Sequence, residues 1–150
     1  MNKRQKLAIE RHDLGFNCAQ SVVAAFEDIT GLPKETGLAA AGGLGAGLGS
    51  REEVCGALSG AVVVLGLLVP HIKENDPERK QFVYDAVAEL RRRFAERFGY
   101  TRCCELLESK QSDEDWAIAK SLGSEKICPV FIMESVRILE EYLGELGISI

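Results

Sequence analysis

Asp76-Pro77-Glu78-Arg79-Lys80-Gln81-Phe82-Val83-Tyr84-Asp85-Ala86-Val87-Ala88-Glu89-Leu90-Arg91-Arg92-Arg93-Phe94-Ala95-Glu96-Arg97-Phe98-Gly99 is the stretch that decides the fold. Asp76 has the side-chain oxygen that caps a helix start, and Pro77 fits the first turn, where no amide partner is needed. Gly99 suits the left-handed residue that ends a helix. Between them Phe82, Ala86, Leu90, Phe94 and Phe98 recur every four residues, joined by Val83 and Val87. That period lays one apolar stripe along a helix. At about 1.5 Å per residue the helix would be on the order of 33 Å long, a spine for other helices to pack on.

The segments on either side read the same way. Residues from about Lys3 to Leu14 form an amphipathic helix ending at Gly15. Asn17 caps a second helix through about Ile29, stopped by Gly31 and Pro33. A short helix covers Glu35 to Ala41. Ser50-Arg51-Glu52-Glu53 reads as a capping box that opens an apolar helix ending near Val69-Pro70. Thr101 starts a short helix, Ser112 caps another through about Gly123, and Pro129 sits in the first turn of the last, which ends near Gly144. No stretch alternates with period two and none reads as a hairpin. The expectation is an all-α, single-domain bundle of about six to eight helices over residues 1–150, with Trp116 in the core.

Charge and length exclude some functions. The net charge is −5, and 46% of the 150 residues are apolar. An acidic chain of this kind does not suit a nucleic-acid or anionic-membrane partner, which calls for a basic surface. The longest uncharged run, Val54 to His71, falls short of the roughly 20 residues of a bilayer span and carries three glycines; a buried central helix is expected instead. Charges return early after Met1, leaving no apolar leader core, so the expected location is the cytoplasm. Permanent disulfides are rare there, and five cysteines is an odd number.

Four of those cysteines fall at predicted helix starts: Cys18 after Asn17, Cys55 one turn after Ser50, Cys103 after Thr101, and Cys128 before Pro129. Unpaired amides and a partial positive charge at a helix start favour thiolate over thiol. Thiolates bind soft metals and attack disulfides. Cys104 is rotated by about 100° from Cys103 and is the expected spare. The competing reading is that all are inert core cysteines, which are among the most buried residues. There is no CxxC pair, so no zinc ribbon or thioredoxin-like motif is present.

Gly42-Gly43-Leu44-Gly45-Ala46-Gly47-Leu48-Gly49 lacks the strand of a dinucleotide site and the Gly-Lys-Ser/Thr of a P-loop. It reads as a tight loop that lets backbones pass closely. A weaker reading gives the amides of Gly45, Gly47 and Gly49 an anion to cradle beside Cys55. His12 and His71 are the only histidines, each a candidate fifth ligand or acid–base group. Arg91, Arg92, Arg93 and Arg97 interleave with Glu89 and Glu96, as on a solvated, ion-paired helix face.

Asn17-Cys18-Ala19-Gln20-Ser21-Val22, the glycine run, Cys55-Gly56-Ala57-Leu58-Ser59-Gly60, Cys103-Cys104-Glu105-Leu106-Leu107 and Cys128 together resemble the C_GCAxxG_C_C family of small, redox-active prokaryotic proteins. The resemblance spans about residues 16 to 128. It implies that Cys18, Cys55, Cys103 and Cys128 act together, and Cys-x-Glu-Leu-Leu selects Cys103 over Cys104. Two chemistries suit such a site. The four could ligate zinc or an iron–sulfur cluster, or pairs could cycle between thiol and disulfide with an unidentified redox partner or small molecule. In the second, Cys18 is the expected attacking thiol. The alternative from another class is a non-catalytic helical interaction or regulatory module with structural core cysteines. A homodimer is compatible with so many apolar helix faces.

Overall fold

In the computed structural model, which describes residues 1–150, nine α-helices follow one another. They are α1 (Lys3–Asp13), α2 (Cys18–Ala24), α3 (Glu27–Thr30), α4 (Lys34–Ala41), α5 (Gly56–Leu68), α6 (Pro77–Phe98), α7 (Cys103–Glu108), α8 (Asp113–Ser121) and α9 (Cys128–Glu145). The chain is all-helical, as its periodicity implies, with one helix more than the upper end of the expected six to eight. The extra one arises where the segment from Asn17 to Ile29 divides. Phe26 leaves helical geometry at φ −114° and ψ 15°, and its ring is fully buried at the break. No helix is long and apolar enough to cross a membrane.

Side chains cap four of the nine helix starts, those of α1, α2, α6 and α8. Asn17 accepts from the Gln20 amide at 2.9 Å, Asp76 from Arg79 and Ser112 from Asp115, both at 3.1 Å. Gly99 ends α6 in the left-handed conformation, at φ 87°. At Ser50 the outcome differs. The expected capping box does not form, and α5 begins at Gly56 with Cys55 itself as the cap. A distant segment competes for this backbone. The Cys55 amide donates to the Thr101 carbonyl and the Cys103 amide to the Glu53 carbonyl, both at 2.8 Å. This antiparallel bridge between Val54 and Arg102 holds residues 53 to 55 extended.

A single core of 31 buried residues unites the helices. Helices α2, α5 and α9 form its centre, with α1 against α2 and α9, and α6 against α5 and α9. Phe94, Phe98 and Phe131 stack across α6 and α9, with centroids 5.1 and 4.8 Å apart. Ser135 Oγ donates to the Ala57 carbonyl at 2.6 Å and fixes α9 against the first turn of α5. The apolar stripe of α6 is buried only from Ala86 onward. This 22-residue helix outruns the 13-residue α5, so Phe82 is exposed and its ring is covered by Arg79 instead. Trp116, expected in the core, is likewise exposed on α8.

Candidate functional site

Each of the four cysteines sits at the start of a helix. Cys18, Cys103 and Cys128 are the first residues of α2, α7 and α9, and Cys55 caps α5. All four line one pocket of about 220 Å³, closed by Phe131 and Leu106. Their convergence follows from how the helices are held. The bridge between Val54 and Arg102 brings the start of α7 beside the start of α5. Ser135 brings α9 to α5. Glycines bring α2 to α5.

That last contact is unusually close. A Cβ on Gly60 would lie 2.7 Å from the Ala19 carbonyl oxygen and 2.9 Å from its Cα. One on Gly56 would lie 3.1 Å from the Ala19 amide nitrogen and 3.2 Å from Cys18 Cβ. Only glycine lets the two backbones approach so nearly. In the preceding loop, Gly47 adopts φ +56° and lies against Cys103, whose Cβ would be 2.7 Å from an added Gly47 Cβ. Gly45 packs in the same way on the Asn17 side chain, and Gly49 has nothing near it. None of the three lines the pocket; Ala46 does.

The thiols are not equivalent. Cys18 and Cys128 are neighbours in the pocket, and each perturbs the other's titration. The neighbouring Cys18 thiol pulls the Cys128 thiol down to about 7 against the opposing effect of burial, helped by Lys126, its own backbone amide and Arg51. The neighbouring Cys128 pushes Cys18 far up, with burial and the other cysteines adding to it. Physically the pair loses its first proton readily and its second with difficulty. Burial pushes Cys55 up to about 12, although the Ala57 and Leu58 amides oppose it. Burial also raises Cys103, with Cys128 and Cys104 adding to the rise and Arg51 opposing it. Cys104 does not line the pocket, and its thiol points to the Glu52 carbonyl at 3.6 Å.

Sequence reading missed two residues of this site. Arg51 and Lys126 line the pocket beside the cysteines. Lys126 stands two residues before Cys128, a signal within reach. Arg51 arrives through a loop whose backbone is left-handed at Ala46, Leu48 and Arg51 as well as at two glycines, which no local pattern announces. His12 also lines the pocket, and burial lowers its pKa, with Lys126 adding to the effect and Asp13 opposing it. His71 lies elsewhere, beside Asp76 and Lys80.

A family model described as "Putative redox-active protein (C_GCAxxG_C_C)" matches residues 16–142. The chain belongs to the C_GCAxxG_C_C family. The Ala-x-x-Gly spacing of that label is met by Ala57-Leu58-Ser59-Gly60 in the first two turns of α5, where Gly60 makes the close crossing with α2. No curated protein and no solved structure matches the chain.

Proposed function

We propose that this C_GCAxxG_C_C protein exchanges thiols for disulfides, with Cys18 and Cys128 as the working pair and Cys128 as the attacking sulfur. The nearness of these two thiols in one pocket, each perturbing the other's acidity, carries the reading. Cys128 takes the role that the sequence suggested for Cys18, since its thiolate is favoured near neutral pH.

The step balances as follows. The Cys128 thiolate attacks one sulfur of a disulfide R–S–S–R. A Cys128–S–S–R bond forms and R–S⁻ leaves, taking a proton from solvent. Cys128 no longer competes for a proton, so the cause of the raised Cys18 pKa is gone. Cys18 gives its proton to solvent, attacks the Cys128 sulfur and expels the second R–S⁻. The substrate gains two electrons, and the protein is left with a Cys18–Cys128 disulfide. A reducing compartment, such as the cytoplasm expected from the sequence, would regenerate the dithiol.

The rival chemistry uses the same four sulfurs as ligands of zinc or an iron–sulfur cluster. No three His, Cys, Asp or Glu side chains gather closely enough to form a metal site. The test is to purify the protein without oxygen, measure metal and sulfide per chain, and equilibrate it in glutathione buffers before peptide mapping. A reversible Cys18–Cys128 disulfide without stoichiometric metal is expected. Near-stoichiometric zinc or iron, lost in variants of the four cysteines, would establish the metal reading instead. Neither metal nor disulfide would leave core cysteines in an interaction module.

A further inference from the structure

The pocket carries a charge opposite to that of the protein. The chain has 23 acidic and 18 basic residues, yet the 13 residues lining the cysteine pocket include His12, Arg51 and Lys126 and no Asp or Glu. Elsewhere six of the cations are neutralised. Arg4, Arg92, Arg93, Arg97, Arg102 and Arg137 all enter ion pairs. Arg51 and Lys126 enter none. Two cations and no carboxylate along the lining of a small pocket raise the local concentration of anions. The pocket is also small, about 220 Å³, which admits a few heavy atoms around a sulfur–sulfur bond rather than a folded protein.

We infer that the substrate of the Cys18–Cys128 pair is a small anionic disulfide, its carboxylate or other acidic groups held by Arg51 and Lys126 while its sulfur meets Cys128. This rests on the thiol-exchange reading of the site. The overall reaction consumes one dianionic disulfide and the reduced protein, and yields two anionic thiols and the Cys18–Cys128 disulfide. No further reductant enters a single turnover.

The experiment follows single-turnover oxidation of the reduced protein by three small disulfides. These are dianionic dithiodiglycolate, neutral 2-hydroxyethyl disulfide and dicationic cystamine. Each second-order rate is divided by that of free 2-mercaptoethanol with the same disulfide, which removes intrinsic reactivity. The normalised rates should fall from dianion to neutral to dication by about tenfold overall or more, and the spread should shrink in high salt. Arg51→Gln and Lys126→Gln should each narrow the dianion-to-dication ratio severalfold. The ratio is the readout because any change in the Cys128 thiol itself slows all three reagents alike. Equal normalised rates, or a spread unmoved by both substitutions, would overturn the anionic substrate and leave thiol exchange standing. If no reagent produces the Cys18–Cys128 disulfide, the exchange reading fails and this inference fails with it.

Discussion

Gly60→Ala is the sharpest perturbation of the device that assembles the site. The added methyl would meet the Ala19 oxygen at 2.7 Å and two further backbone atoms of α2 within 3.2 Å. Backbone cannot swing aside as a side chain can, so α2 and α5 must separate. Overpacking of this kind costs about 1–3 kcal/mol, and contact with backbone atoms places it at about 2–3. Alanine recovers up to about 1 kcal/mol of helix propensity, leaving a net loss of about 1–2 kcal/mol. Gly66 is the internal control. It lies in the same helix, and an added Cβ there meets nothing within 4 Å. Gly66→Ala should therefore stabilise the protein by about 0.5–1 kcal/mol. Urea unfolding of the two variants should separate them by about 2 kcal/mol or more. Because α2 carries Cys18, Gly60→Ala should also slow formation of the Cys18–Cys128 disulfide, and Gly66→Ala should not. Equal stabilities for the two variants would refute the close crossing as the reason for the glycine.

Three further outcomes are expected. The rate of Cys128 alkylation by iodoacetamide should rise through an inflection near pH 7, and Cys18→Ala should move that inflection up by about one unit or more, since the neighbouring Cys18 thiol is its largest cause; an unmoved inflection would refute the coupling of the two thiols. The folded protein holds the Cys55 proton to about pH 12, above the ordinary thiol range, so the stability this group contributes is present below that range and falls as pH rises from about 9 towards 12. Urea titrations between pH 8.5 and 10.5 should show a slope shallower in Cys55→Ala by up to about 1.4 kcal/mol per unit. Arg97 pairs with the buried Asp115 at 2.6 Å and with Glu134 at 2.8 Å, and holds the Asp115 carboxyl below its usual range. Arg97→Leu strands that carboxylate and should cost about 2–3 kcal/mol at pH 7. The gap to the parent protein should narrow as pH falls and Asp115 takes up its proton.

Local chemistry made most of the fold legible. The caps at Asn17, Asp76 and Ser112, and the four-residue stripe of α6, are each decided by neighbours within one or two turns. Ser50 shows where such reading stops. Its Ser-x-x-Glu spacing is sound as a local pattern, but Thr101 and Cys103 claim the same backbone from about fifty residues away. Phe82 and Trp116 show a second limit. Apolar character says that a side chain can be buried, but the packing around it decides whether anything lies above it. The site divides along the same line. That each cysteine begins a helix could be read from its neighbours. That the four helix starts face one pocket depends on the crossings of α2, α5 and α9, and on a left-handed loop that carries Arg51.

Gly56 and Gly60 of α5 and the helix starts that carry the cysteines are packed as one unit. Cys55 caps α5, and the next residue, Gly56, is small enough to leave room for Cys18 Cβ. One turn on, Gly60 admits the Ala19 carbonyl and sets how close α2 lies. Between them, the Ala57 carbonyl accepts the Ser135 hydroxyl, which fixes α9 in height. Cys128 stands seven residues before Ser135, about two turns or roughly 10 Å along that helix. So the first turns of α5 set the positions of both α2 and α9, and with them the separation of Cys18 and Cys128. How strongly two thiols perturb each other depends on that separation. The proposed exchange therefore places its demand for glycine at 56 and 60 through helix packing rather than through any contact with substrate.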